Sequence, residues 1–245
     1  FGGPEVLHYR TDLPLPLPRA GEVLIRVAAS AVNNTDINTR VGWYSKTAGS
    51  ATEDGAAAFD SAQDEDPSWG GTPMAFPRIQ GADCCGHIAA VGPGVDAARL
   101  GQRVLVRPIL RAYADYQPYA CWYFGSECDG GFAQYTRVPA DAAVAVHSAL
   151  SDAELASFPC AYSTAENLVD RAGVKAGERV LVTGASGGVG SAAVQLAHRR
   201  GAATDLAVRA ARCALRLRDS APGWSLVLAA RRRSTPDSRH ALAEL

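Results

Sequence analysis

Apolar residues recur along this chain in two rhythms, and the first half is governed by the shorter one. Extended runs at residues 5–9 and 22–27, separated by Pro14, Pro16, Pro18 and Gly21, read as strands. Further runs at 79–95 and 101–106 carry glycines at short intervals, and another turn and strand follow at 129–139, ending in Pro139. Closely spaced glycines among strands predict a tightly curled, barrel-like β domain. Between the first and second groups, residues 28–44 predict a short helix capped by Asn34 or Thr35. Residues 46–71 lack periodicity and are rich in Ala, Ser, Gly, Asp and Glu, which predicts a mobile surface insertion with solvated carboxylates.

From residue 151 the rhythm lengthens. Ser151-Asp-Ala-Glu154 is a capping-box pattern that opens a helix, and residues 163–171 predict a second one. A domain boundary is expected near 145–150, giving units 1–148 and 149–245. Arg179 to Val182 then forms a β-branched run suited to a buried parallel strand. It leads through Thr183-Gly-Ala-Ser-Gly-Gly-Val-Gly190 into small and apolar residues at helical spacing. Strand, tight turn and helix in this order suit a dinucleotide phosphate. Gly187 would let the backbone approach a pyrophosphate, Gly190 would let helix and strand pack closely, and the helix-start amides would face the anion. The candidate cofactor-binding residues are Gly184, Ala185, Ser186, Gly187, Gly188, Val189 and Gly190, with Ala185 standing where the usual pattern has its first glycine. An ATPase-type loop is excluded because Ser191 follows glycine rather than lysine.

Composition narrows the class further. The chain has 245 residues, 47% of them hydrophobic, enough for two modest cores. Its net charge of -1 gives no general attraction to nucleic acid or membrane. With no long apolar span, a cytoplasmic protein acting on a small molecule is expected, with self-association as a homodimer left open. Six cysteines contain no C-x-x-C pair and read as reduced thiols.

Residues 1 to about 202 resemble the medium-chain dehydrogenase/reductases, the superfamily of alcohol dehydrogenases and quinone reductases. The resemblance rests on Gly81-x-Asp83-x-x-Gly86, Val91-Gly92-x-Gly94-Val95, Gly101-x-Arg103-Val104, Asp129-Gly-Gly-Phe-Ala-x-Tyr135 and the glycine-rich turn. It implies an α/β plus β architecture, in which a GroES-like curled β domain is followed by a partial Rossmann parallel-sheet domain. The short-chain dehydrogenases share the glycine string but need a downstream Lys, and no Lys follows Lys175. Where the zinc alcohol dehydrogenases hold a catalytic metal, the matching positions are Asn33, Ala82 and Cys160, one donor of the three that zinc requires. No metal site is therefore expected. Asn33, Asp36, Arg40, Gly42 and Tyr44 instead match a string of the zinc-free quinone reductases.

That resemblance implies hydride transfer from NADPH, with NADH as the other option, to a quinone or α,β-unsaturated carbonyl without a metal. Tyr44 and Asn33 are the candidate catalytic residues, as donors to the developing oxyanion, and Thr164 would lie by the nicotinamide. Asp36 and Arg40, four apart, read as a helix-surface ion pair. Arg209 and Arg212, about twenty residues after the glycines, favour the 2′-phosphate of NADPH. From about residue 203 the tail carries eight Arg and no Lys, with little alternation. A shortened C-terminus and a shifted reading frame both account for it, and the Arg- and Ala-heavy text favours the second. Either leaves a non-catalytic remnant, or an alcohol dehydrogenase-like enzyme, as the alternative function.

Overall fold

A computed structural model describes residues 1–44, 68, 70 and 72–204. The predicted insertion at 46–71 falls almost wholly outside these residues, as do Arg209, Arg212 and the Arg-rich tail. The chain divides into two compact units, Phe1–Cys160 and a second beginning at Ala161.

The first unit is built on a five-stranded antiparallel sheet in the order β6-β1-β2-β3-β7, with β1 (Glu22–Ala29), β2 (Cys85–Val91), β3 (Arg103–Val106), β6 (Tyr135–Pro139) and β7 (Ala143–Ala145). A two-stranded ribbon, β4 (Ile109–Leu110) with β5 (Trp122–Tyr123), accompanies it. β1 pairs on both sides, and register shifts against β2 at Leu24/Ile25 and Val27/Ala29 bend the sheet. Its apolar face closes on Val23, Ile25, Ile88, Val104, Val106 and Phe124. Curling of this kind needs glycine where backbones meet. A Cβ on Gly92 would collide with the Arg19 carbonyl, so any side chain there would force the turn after β2 apart.

Residues 5–9 do not form the expected strand. Pro4 opens a single 3-10 turn, Pro4–Val6, and the residues after it find no ladder partner, so Leu7 and Tyr9 remain 59% and 93% exposed. The short helix α1 (Asn34–Arg40) is present, but its cap is Asn33 rather than Asn34 or Thr35. Register decides this: with Asn33 at the cap, Asp36 stands at the third helical position and completes a capping box. The Ser151 capping box opens α2 (Asp152–Ala156) as expected.

α3 (Pro159–Arg171) begins at the end of the first unit, and β8 (Arg179–Val180), α4 (Gly188–Arg199) and β9 (Ala203–Thr204) follow in the second, with β8 and β9 parallel. β8 ends at Val180, two residues short of the expected Val182. α3 and α4 pack through Ala165, Val169, Ala192 and Ala193, small residues that let the helices come close.

Candidate functional site

α1 begins where the chain leaves β1, and its capping box fixes the geometry around it. Asn33 Oδ1 accepts from the Thr35 amide at 3.1 Å, and the Asp36 carboxylate accepts from the Asn33 amide at 2.8 Å. Asp36 is buried, and its other oxygen accepts the amides of Gly81 at 3.2 Å and Ala82 at 2.9 Å. The expected surface ion pair with Arg40 is thus corrected. The carboxylate is spent on backbone amides 45 and 46 residues away, because burial leaves it no other means of satisfying its charge. That burial raises its pKa against the pull of those three amides.

Asp83, 1% exposed, lies next to this cap. One carboxylate oxygen accepts the Cys160 amide at 2.6 Å, in the first turn of α3, and the other accepts Asn33 Nδ2 at 3.3 Å. Burial pushes its pKa up to about 6, opposed by these two hydrogen bonds. Two phenols sit close by. The Tyr44 hydroxyl is 2.8 Å from Thr35 Oγ1 and is also hydrogen bonded to the Asn38 side chain. The Tyr123 hydroxyl is 2.9 Å from Cys160 Sγ. Burial raises both phenols, and it lifts the Cys160 thiol to about 11, so all three hold their protons at neutral pH.

Of the residues singled out in the sequence, Asn33 and Tyr44 are therefore joined through Thr35. Asn33 is largely occupied by the cap and by Asp83, whereas Tyr44 carries a protonated hydroxyl. Asp83, Tyr123, Thr35 and Asn38 were not singled out as site residues. Asp83 did stand inside the Gly81-x-Asp83-x-x-Gly86 block, but nothing local marks Tyr123.

The positions matched to a zinc site do not fit the metal. Ala82 offers no donor, Asn33 Nδ2 points to Asp83 and Cys160 Sγ to Tyr123. Among the described residues no group of three or more His, Cys, Asp or Glu could hold a metal ion.

The second unit holds the other candidates. Thr164 lies on an exposed face of α3. Gly184 turns the chain after β8 at φ +65°, and Ala185 and Ser186 lead to Gly187, the cap of α4, which no side chain caps. A Cβ on Gly187 would meet nothing nearer than the Gly184 carbonyl at 3.6 Å, whereas one on Gly190 would collide with that carbonyl. The open side of Gly187 and the uncapped first-turn amides of Gly188, Val189 and Gly190 fit a dinucleotide phosphate.

Comparisons with known proteins agree with this layout. Residues 19–148 match the family described as Alcohol dehydrogenase GroES-like domain. Quinone oxidoreductase of Homo sapiens is 33% identical over 202 residues, covering 82% of this chain and 48% of that protein. The chain thus spans about half the length of the curated relatives it matches. A solved structure described as an alcohol dehydrogenase, from Sinorhizobium meliloti 1021, is 46% identical with a TM-score of 0.69, over 83% of this chain and 53% of that one. The cobalt- and zinc-bound thermostable alcohol dehydrogenase of Pyrobaculum aerophilum is 29% identical with a TM-score of 0.62, over 83% of this chain and 56% of that one. Among the described residues no helix is long and apolar enough to cross a membrane.

Proposed function

The chain belongs to the alcohol dehydrogenase GroES-like domain family within the medium-chain dehydrogenase/reductases, and from that premise we propose that it is a metal-independent, NAD(P)H-dependent oxidoreductase acting on a quinone or α,β-unsaturated carbonyl. The observation that carries this reading is the Tyr44 hydroxyl, held by Thr35 and Asn38 and kept in its protonated form, beside positions that supply only one zinc donor. Quinones and enones carry their own conjugated acceptor, so reduction needs a proton source rather than a Lewis acid.

The cofactor would be held by Gly184, Ala185, Ser186, Gly187, Gly188, Val189 and Gly190, with Thr164 toward its nicotinamide end. Arg209 and Arg212 are the sequence basis for preferring NADPH over NADH. When bound, the nicotinamide supplies a hydride to the acceptor carbon. As the acceptor oxygen gains charge, Tyr44 donates its proton to it. The phenolate left behind is held by Thr35 and Asn38. Asn33 shapes this arrangement through the α1 cap, with its side-chain amide given to Asp83 and to the Thr35 amide.

The test is NADPH oxidation by the purified chain with a panel of quinones and enones, preceded by nucleotide titration through the shift in melting temperature. Saturable binding and chelator-resistant turnover are expected. A second reading, an alcohol dehydrogenase, is favoured by the 46% identity to the Sinorhizobium meliloti structure. Turnover of alcohols that a chelator abolishes and zinc restores would establish it instead.

A further inference from the structure

Asp83 is the branch point of two hydrogen-bonded arms, each ending on a phenol. One arm runs from its Oδ2 to Asn33 Nδ2 at 3.3 Å, from Asn33 Oδ1 to the Thr35 amide at 3.1 Å, and from Thr35 Oγ1 to the Tyr44 hydroxyl at 2.8 Å. The other runs from Oδ1 to the Cys160 amide at 2.6 Å and from Cys160 Sγ to the Tyr123 hydroxyl at 2.9 Å. The segments joined are far apart in sequence: Asp83 is 50 residues from Asn33 and 77 from Cys160. We propose that Asp83 is a positioning residue that holds the α1 cap behind Tyr44 and the start of α3 in place together.

The chemistry of the carboxylate explains why this position suits Asp. Both of its neighbours are N–H donors, and a carboxylate presents an acceptor oxygen to each. An asparagine has the same shape but must turn its NH₂ toward one of them, which opens one arm without emptying the space. Buried donors left without an acceptor would then pull the first turn of α3 or the α1 cap out of place. Misplacing a proton donor by as little as about 1 Å lowers kcat far more than it changes the affinity of a remote nucleotide site. Asp36 does not replace Asp83, because its oxygens are already taken by the amides of Asn33, Gly81 and Ala82.

The inference concerning catalysis rests on the oxidoreductase reading, whereas the geometry of the arms does not. The experiment therefore has two readouts on Asp83→Asn and Asn33→Ala. The first is kcat and KM with the quinone that the wild type turns over, alongside the melting temperature and NADPH affinity. The second is the rate at which a thiol reagent modifies Cys160, followed by peptide mapping, which needs no turnover. Asp83→Asn is expected to lower kcat by roughly 10- to 100-fold at unchanged NADPH affinity and to speed Cys160 labelling several-fold. Asn33→Ala cuts only the Tyr44 arm, so it should lower kcat and leave Cys160 labelling as in the wild type.

Wild-type kcat and labelling in folded Asp83→Asn would overturn the positioning role. Should Asp83→Asn not fold, an Asn33→Ala variant with wild-type kcat would overturn it equally. A wild type that turns over no acceptor would defeat the oxidoreductase reading instead, and Cys160 labelling would still decide whether Asp83 holds that arm.

Discussion

The backbone amide of Ala82 donates to the carboxylate of Asp36 at 2.9 Å, joining the first turn of α1 to a loop 46 residues further along the chain. Gly81 and Asn33 donate to the same carboxylate, so three amides depend on one side chain that is 5% exposed.

Asp36→Ala should therefore destabilise the first unit by about 3 kcal/mol, since it leaves those amides buried without acceptors. Asp36→Asn retains one acceptor and should cost roughly half as much. Urea unfolding of the two variants checks the order. Equal stability of both with the wild type would mean that the amides find water instead.

The glycine-rich turn predicts a contrast between neighbouring positions. Gly190→Ala drives a Cβ into the Gly184 carbonyl, so it should lower stability by roughly 1–3 kcal/mol even without nucleotide. Gly187→Ala faces open space and should fold normally, yet weaken NADPH binding by blocking close approach to the phosphates. Melting temperatures with and without NADPH separate the two effects.

Tyr44→Phe removes the proposed proton donor together with its hydrogen bonds to Thr35 and Asn38. Expected is a loss of about 10²-fold in kcat with NADPH affinity retained, and turnover of the wild type indifferent to chelators. Stopped-flow NADPH oxidation is the direct measurement. A large rise in KM at constant kcat would instead make Tyr44 a binding residue.

Asp83 links stability to pH. Its pKa in the folded chain is raised from 3.8 to about 6, so the native state holds a proton that the unfolded state has released between these values. Its contribution is therefore fully present below about pH 4 and is lost as pH rises through about 6. The loss amounts to at most about 3 kcal/mol at 1.4 kcal/mol per unit. Burial shifts Asp36 in the same direction. Denaturant midpoints from pH 4 to 8 should therefore decline more steeply for the wild type than for Asp83→Asn, which has no group to ionise there.

Local pattern carried much of this. The Ser151 capping box, the strand run from Glu22 and the turn at Gly184 to Gly190 are each complete within about fifteen residues, so periodicity and capping chemistry revealed them. The run at 5–9 misled because an apolar stretch becomes a strand only where a neighbour completes its ladder. The cap of α1 was misplaced by a residue because Asn33, Asn34 and Thr35 are all good caps, and the choice rests on which register lets Asp36 close the box.

The sequence by itself determined the order of elements, the glycine turn and Tyr44 as a hydroxyl of interest, since each is written in neighbouring residues. Only the tertiary structure decided what the two carboxylates do. Along the chain Asp36 reads as half of a surface ion pair and Asp83 only as one position in a glycine-spaced block. Folding buries both against amides that come from segments 46, 50 and 77 residues away. A charge withdrawn from water must take whatever donors the packing brings to it, and no local pattern records which those will be.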